Sequence, residues 1–180
     1  MEQYKNVRQI IDERKFLLEL FDVVDDDEER NKINSPSDFL KLSDSEQEEL
    51  VNYCLVAFLP SSSVDREITS YGMKHVFEDQ VKGFYTHNGQ FKGAMLIAGY
   101  LPDNPRDLNW NYKVDKGCFG VSSFGRNRRL SNQTISLRSA YELLEDTPQE
   151  NKGYLFSNRF SKRAISDFMA DLNDGSLYFR

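Results

Sequence analysis

The chain has 180 residues and a formal net charge of −6, and it is 39% hydrophobic, 13% aromatic and 29% charged, a make-up suited to one ordinary globular core. No apolar run approaches the ~20 residues of a membrane span, and the opening "MEQYKNVRQIIDERK" is too acidic and too amphipathic for a signal peptide, so a cytoplasmic protein is expected. The acidic balance argues against indiscriminate nucleic-acid binding, which draws its energy from neutralising phosphates.

That charge is unevenly spread. Residues 1–60 carry a net −8, residues 61–100 balance, and residues 101–180 carry +2. An acidic head and a mildly basic tail point to two surfaces with different partners, the head suiting another protein's basic groove.

In chain order, residues 4–22 are predicted to form one amphipathic helix, because Val7, Ile10, Ile11, Leu17, Leu18 and Phe21 recur at three- and four-residue spacing. "DVVDDDEERNKINSPSD" then reads as a mobile acidic loop. Ser43 with Glu46 has the capping-box spacing of a second helix, with Leu50, Val51, Cys54, Leu55 and Phe58 as its stripe and Pro60 beyond its end. Cys54 and Cys118 have no CxxC partner and read as two buried thiols, neither a zinc site nor a disulfide.

Thr69 or Ser70 can cap a third helix that buries Met73, Val76 and Phe77. Gly83 marks the break after it, and Thr86 or Asn88 caps a fourth helix. That helix carries Phe91, Ala94, Met95, Leu96, Ile97 and Ala98 and is apolar almost all round, so it belongs in a core. Gly93 would admit a second backbone, Gly99 would end the helix in a left-handed cap, and Lys92 must snorkel or pair. The two helices form a hairpin compatible with helix-turn-helix geometry. "DLNWNYKVDKGCFGVSSFG" alternates and reads as two short strands. Helices are expected again at 131–146 and 157–172.

The expected architecture is α+β and mostly α: a helical bundle with a central helical hairpin and a small two-stranded β element. An acidic helical head (1–60), a motif core (61–114) and a basic tail with two helices (115–180) form one compact unit.

Tyr71, Lys74, His75 and Glu78 stand at i, i+3, i+4 and i+7 of the third helix, so phenol, ammonium, imidazole and carboxylate fall within mutual reach. Two readings fit. In one, His75 is a general acid–base, Glu78 holds its tautomer and Lys74 stabilises a phosphorane, giving a metal-independent ribonuclease. In the other, the face is solvated and holds a Lys74–Glu78 pair worth about 0.3–0.5 kcal/mol. His75 and His87 lack companion ligands at metal-site spacing, so no metal and no cofactor is expected. Lys92, Arg126, Arg128, Arg129, Lys162 and Arg163 are the candidates for a phosphate or acidic-protein contact, set against ordinary surface solvation.

The run of residues 58–114 contains a leading "LP", then "SYGMKHVFE", "FYTHNGQFKGAMLIAGY" and "NW". This wording resembles a family of small proteins carried by phages and integrative conjugative elements. Tyr71, Gly72, Lys74, His75, Asn88, Gly89, Phe91 and Lys92 stand where that pattern has them, over about a third of the chain. The acidic head and basic tail lie outside the resemblance. A mobile-element protein of this size is similar in kind to phage anti-CRISPR inhibitors of Cas9, some of which block the nuclease while others cause trimming of its guide RNA. The resemblance thus implies Cas9 or its guide RNA as partner. The competing expectation is a nucleic-acid-binding regulatory or accessory protein that uses the hairpin as a helix-turn-helix.

Overall fold

The computed structural model describes residues 7–22, 28–58, 61–80, 82–116 and 120–121. The helices expected over 131–146 and 157–172 lie outside the described residues, as do Cys118, Arg126, Arg128, Arg129, Lys162 and Arg163. The described part is mostly helical: α1 (Val7–Arg14), α2 (Phe16–Leu20), α3 (Glu28–Asn34), a 3-10 helix (Pro36–Lys41), α4 (Asp44–Ala57), α5 (Ser70–Glu78) and α6 (Asn88–Ala98). None of these is long and apolar enough to cross a membrane.

The single helix expected over 4–22 is two helices meeting at Lys15. The junction is a tightened turn, in which the Leu18 N–H donates to the Lys15 carbonyl at 3.1 Å. Because Lys15 keeps helical dihedrals, the apolar stripe stays in phase. Val7, Ile10, Ile11, Leu17, Leu18 and Phe21 are all buried. The expected acidic loop is corrected from residue 28 on, where α3 and the 3-10 helix stand at 28–34 and 36–41, while residues 23–27 lie outside the described residues. Glu28 and Glu29 sit in the first turn of α3 and Lys32 in its last, the charge order that a helix dipole favours. Pro36 falls in the first turn of the 3-10 helix, where a missing N–H costs nothing.

Helix α4 begins as its spacing requires. The Ser43 N–H donates to Glu46 Oε2 at 2.8 Å, and Ser43 Oγ accepts from the Glu46 N–H. At its other end the Ala57 carbonyl accepts from the Gly120 N–H, and the Phe58 carbonyl accepts from the Tyr100 hydroxyl at 2.8 Å. Orphan carbonyls of a helix end are thereby paired.

Helix α6 is the centre of the packing and is apposed to the 3-10 helix, α1, α2, α3, α4 and α5. Every residue from Asn88 to Ala98 is buried. Gly93 makes this possible, since a Cβ there would lie 2.6 Å from both the Pro36 carbonyl oxygen and Phe39 Cβ. The helix ends at Gly99, whose φ of 108° is left-handed, with the Gly99 and Tyr100 N–H groups returning to the Met95 carbonyl. The Arg14 guanidinium caps the same end by donating to the Ile97 carbonyl at 2.7 Å. The cap at the other end is His87, not Thr86 or Asn88. Its N–H donates to Gln90 Oε1 at 2.8 Å.

Of the two strands expected over 107–125, the first is corrected, because no strand occurs among the described residues, and residues 117–119 and 122–125 lie outside them. An isolated antiparallel bridge joins Pro102 to Tyr112. The Asp103 N–H donates to the Asn111 carbonyl at 2.8 Å beside it, so Pro102 takes a position where its missing N–H would face away from Tyr112. The Trp110 N–H and C=O are taken by Ser70, through its side chain and its N–H, at 3.0 and 2.7 Å. The Asn111 amide ties down the loop before α5 by donating to the Asp65, Arg66 and Ile68 carbonyls. The alternating sequence at 107–114 therefore packs as an extended strap, with Trp110, Tyr112 and Val114 buried.

Candidate functional site

Helix α5 sets the geometry of the polar face. Thr69 Oγ1 accepts from the Gly72 N–H, which fixes the helix start, and Met73, Val76 and Phe77 are buried as the spacing requires. At about 100° per residue, Tyr71, His75 and Glu78 fall opposite that stripe and Lys74 falls on its border. Tyr71 is 51% exposed and His75 is half-buried. Lys74 departs from the expected open face, since only 5% of its side chain is exposed.

Glu78 organises the group. Its Oε1 accepts from Lys74 Nζ at 2.8 Å and from the Thr86 N–H at 2.9 Å, and its Oε2 meets His75 Nδ1 at 2.7 Å. Burial raises the Glu78 pKa, but the bonds from Lys74, the Thr86 amide and His75 outweigh it and leave the carboxyl below its ordinary value. An ionised carboxylate only accepts, so His75 Nδ1 carries the proton and the lone pair of a neutral ring lies on Nε2. The Tyr71 ring meets the His75 ring edge-on at 4.6 Å. The Lys74 ammonium lies 5.2 Å from the Tyr71 ring centre and 5.3 Å from that of Tyr85. All four expected residues are thus brought together. Lys74, held by the carboxylate and two rings, positions Glu78 and does not face solvent.

A second imidazole–carboxylate pair adjoins the first through Tyr85, which is 75% exposed. His87 Nδ1 meets Asp38 Oδ2 at 2.7 Å, and Lys41 Nζ meets Asp38 Oδ1 at 2.7 Å. The Tyr85 ring centre is 5.8 Å from that of His87. Sequence reasoning gave Asp38 no role, weighed His87 only as a metal ligand and read Tyr85 as packing the turn, whereas its ring is exposed. Asp38 lies 49 residues from His87 in sequence, inside the stretch read as an acidic loop, so no local spacing signals the pair.

Lys92 is buried on α6, where it both pairs and stacks. Its Nζ donates to the Asn34 carbonyl at 3.1 Å and stands 4.7 Å from the Trp110 ring centre. Burial lowers its pKa to about 8, against an opposing pull from Asp107. No group of three or more His, Cys, Asp or Glu side chains among the described residues is placed to hold a metal ion.

The hairpin does not have the form of a helix-turn-helix. Its connection spans residues 79–87, longer than the 3–4 residues usual for that motif. Helix α6, fully covered, has no face to offer a DNA groove. In comparisons with known proteins, no protein family, no curated protein and no solved structure matches this chain.

Proposed function

We propose that the chain is a mobile-element protein of the anti-CRISPR kind that inhibits Cas9, either by causing trimming of the guide RNA or by blocking the nuclease. The observation that carries the trimming form is the His75–Glu78 pair, with Nε2 directed away from the carboxylate on a half-exposed ring beside Tyr71. Such an imidazole can take the proton of a ribose 2′-hydroxyl as that oxygen attacks the adjacent phosphorus. The O2′–P bond forms, the P–O5′ bond breaks, and the leaving oxygen takes its proton from solvent or from the Tyr71 hydroxyl. No metal is needed for this transesterification. Lys74 serves indirectly in this scheme, by holding the carboxylate that orients the ring.

The blocking form draws on the acidic head. Asp12, Glu13, Glu19, Glu28, Glu29 and Asp44 are exposed on α1 to α4, and exposed acids of this kind suit the positively charged channel that holds a guide–target duplex. The reading is tested by mixing the protein with Cas9, guide RNA and a cleavable target, then following both target cleavage and guide length. Cleavage should stop. Undiminished cleavage at excess protein would overturn the proposal, and inhibition with an intact guide would select blocking over trimming.

A nucleic-acid-binding accessory role is the second reading. Burial of α6 removes its helix-turn-helix form, and what remains in its favour is the cationic surrounding of Lys92.

A further inference from the structure

We infer that the cleft between α3, the start of the 3-10 helix, α6 and the strap before Trp110 is a binding site for a phosphate group. The inference is independent of the Cas9 reading and uses none of the α5 residues. The cleft encloses about 110 Å³, room for several waters or one small oxyanion. Among the described residues, three cations from three separate elements line it, Arg30 on α3, Lys92 on α6 and Arg106 on the strap, against one carboxylate, Asp107.

The wall is built rather than incidental. Trp110 is fully buried and fixed by its Nε1–H, which donates to the Pro105 carbonyl at 3.1 Å. The Asn34 side chain is held by the Asn88 amide at 3.0 Å. Asp107 is held by the Asn104 amide at 2.9 Å. Lys92 is 3% exposed and makes one hydrogen bond among the described residues, to the Asn34 carbonyl. One neutral acceptor, an indole face and the charge of Asp107 are what the described residues set against this buried ammonium, which leaves room for a further acceptor. A phosphate oxygen in the cleft would supply it, and two arginine forks suit the remaining oxygens. The competing account makes Lys92 a plain cap for the C-terminal end of α3.

The test is calorimetric titration of the full chain with inorganic phosphate at pH 6.5, followed by competition with an RNA hexamer bearing either a 5′-phosphate or a 5′-hydroxyl. Saturable one-to-one binding is expected. Arg30→Gln with Arg106→Gln should weaken it at least tenfold, while Asp107→Asn should tighten it. A cap-only role for Lys92 predicts neither change. Competition by both hexamers identifies a backbone diester, competition by the 5′-phosphorylated one alone a terminal phosphate, and competition by neither a free phosphate. Each of these supports the site. Arg30 and Arg106 are exposed and Asp107 is half-buried, and affinities are compared only among variants whose melting curves show a cooperative folded state. Absence of saturable phosphate binding, or unchanged affinity in folded variants, would overturn the inference.

Discussion

Two ionisable side chains, each with a pKa lowered by folding, make stability rise with pH, in different windows and for different reasons. Glu78 has its pKa lowered in the folded chain, so its contribution is complete above its unfolded value and is lost as pH falls through the folded one. Replacing Glu78 by Gln leaves the Lys74 ammonium buried without its partner, a loss of about 3 kcal/mol at neutral pH. Urea denaturation at a series of pH values should show the gap between the parent and Glu78→Gln closing below pH 4. Lys92 has the same sign in an alkaline window, because here folding favours the neutral form. Its pKa is lowered to about 8, so the unfolded chain holds the proton more tightly and the burial penalty lifts as pH rises from 8 towards the unfolded value. Measured against Lys92→Met, the parent should gain up to about 3 kcal/mol between pH 7 and 10.5. A flat difference would mean that the ammonium is solvated. Neither behaviour is legible in the sequence. Spacing brings Lys74 and Glu78 together, but it does not show that Lys74 lies on the border of the buried stripe, under Tyr71 and Tyr85.

At the scale of elements, what the sequence disclosed was local. Ser43 and Glu46 announce the start of α4, Gly99 announces the end of α6, and Met73, Val76 and Phe77 declare the inward side of α5. Each is a pattern within one turn or two of chain. Ser43→Ala should therefore cost about 1 kcal/mol, read as a lowered melting temperature. Gly93→Ala is a stronger test of the packing, because its methyl must push Phe39 or the Pro36 backbone aside. A loss of about 1–3 kcal/mol is expected in spite of the better helix propensity of alanine, and stabilisation would contradict the close approach of α6 to the 3-10 helix. Elements misread from sequence were those decided at a distance. Alternation at 107–114 suggests strands, but Ser70 and Asn111 divert the polar groups into loop contacts. The acidic run reads as a loop by its charge, whereas α3 and the 3-10 helix are retained by packing on α6.

Over the whole molecule, α6 acts as a buried axle that joins two polar places of different chemistry. The α5 face gathers two imidazole–carboxylate pairs around Tyr85, and the α3 side gathers cations around Lys92. The first was half legible, since helical spacing predicts Tyr71, Lys74, His75 and Glu78 together. Asp38 and His87 join it across 49 residues of chain, which only the folded arrangement reveals. At the second place Lys92 was legible as the one charge in an apolar helix and as a candidate phosphate contact, but the cleft around it was not, because Arg30 and Arg106 come from elements remote in sequence. The central functional claim is that His75, oriented by Glu78, works on guide RNA. The most direct measurement is the length of guide RNA recovered from Cas9 after incubation with the parent chain or with His75→Ala, each first shown to melt at the same temperature. The account predicts shortened guide with the parent and full-length guide with the variant; equal shortening by both, or full-length guide throughout, would contradict it.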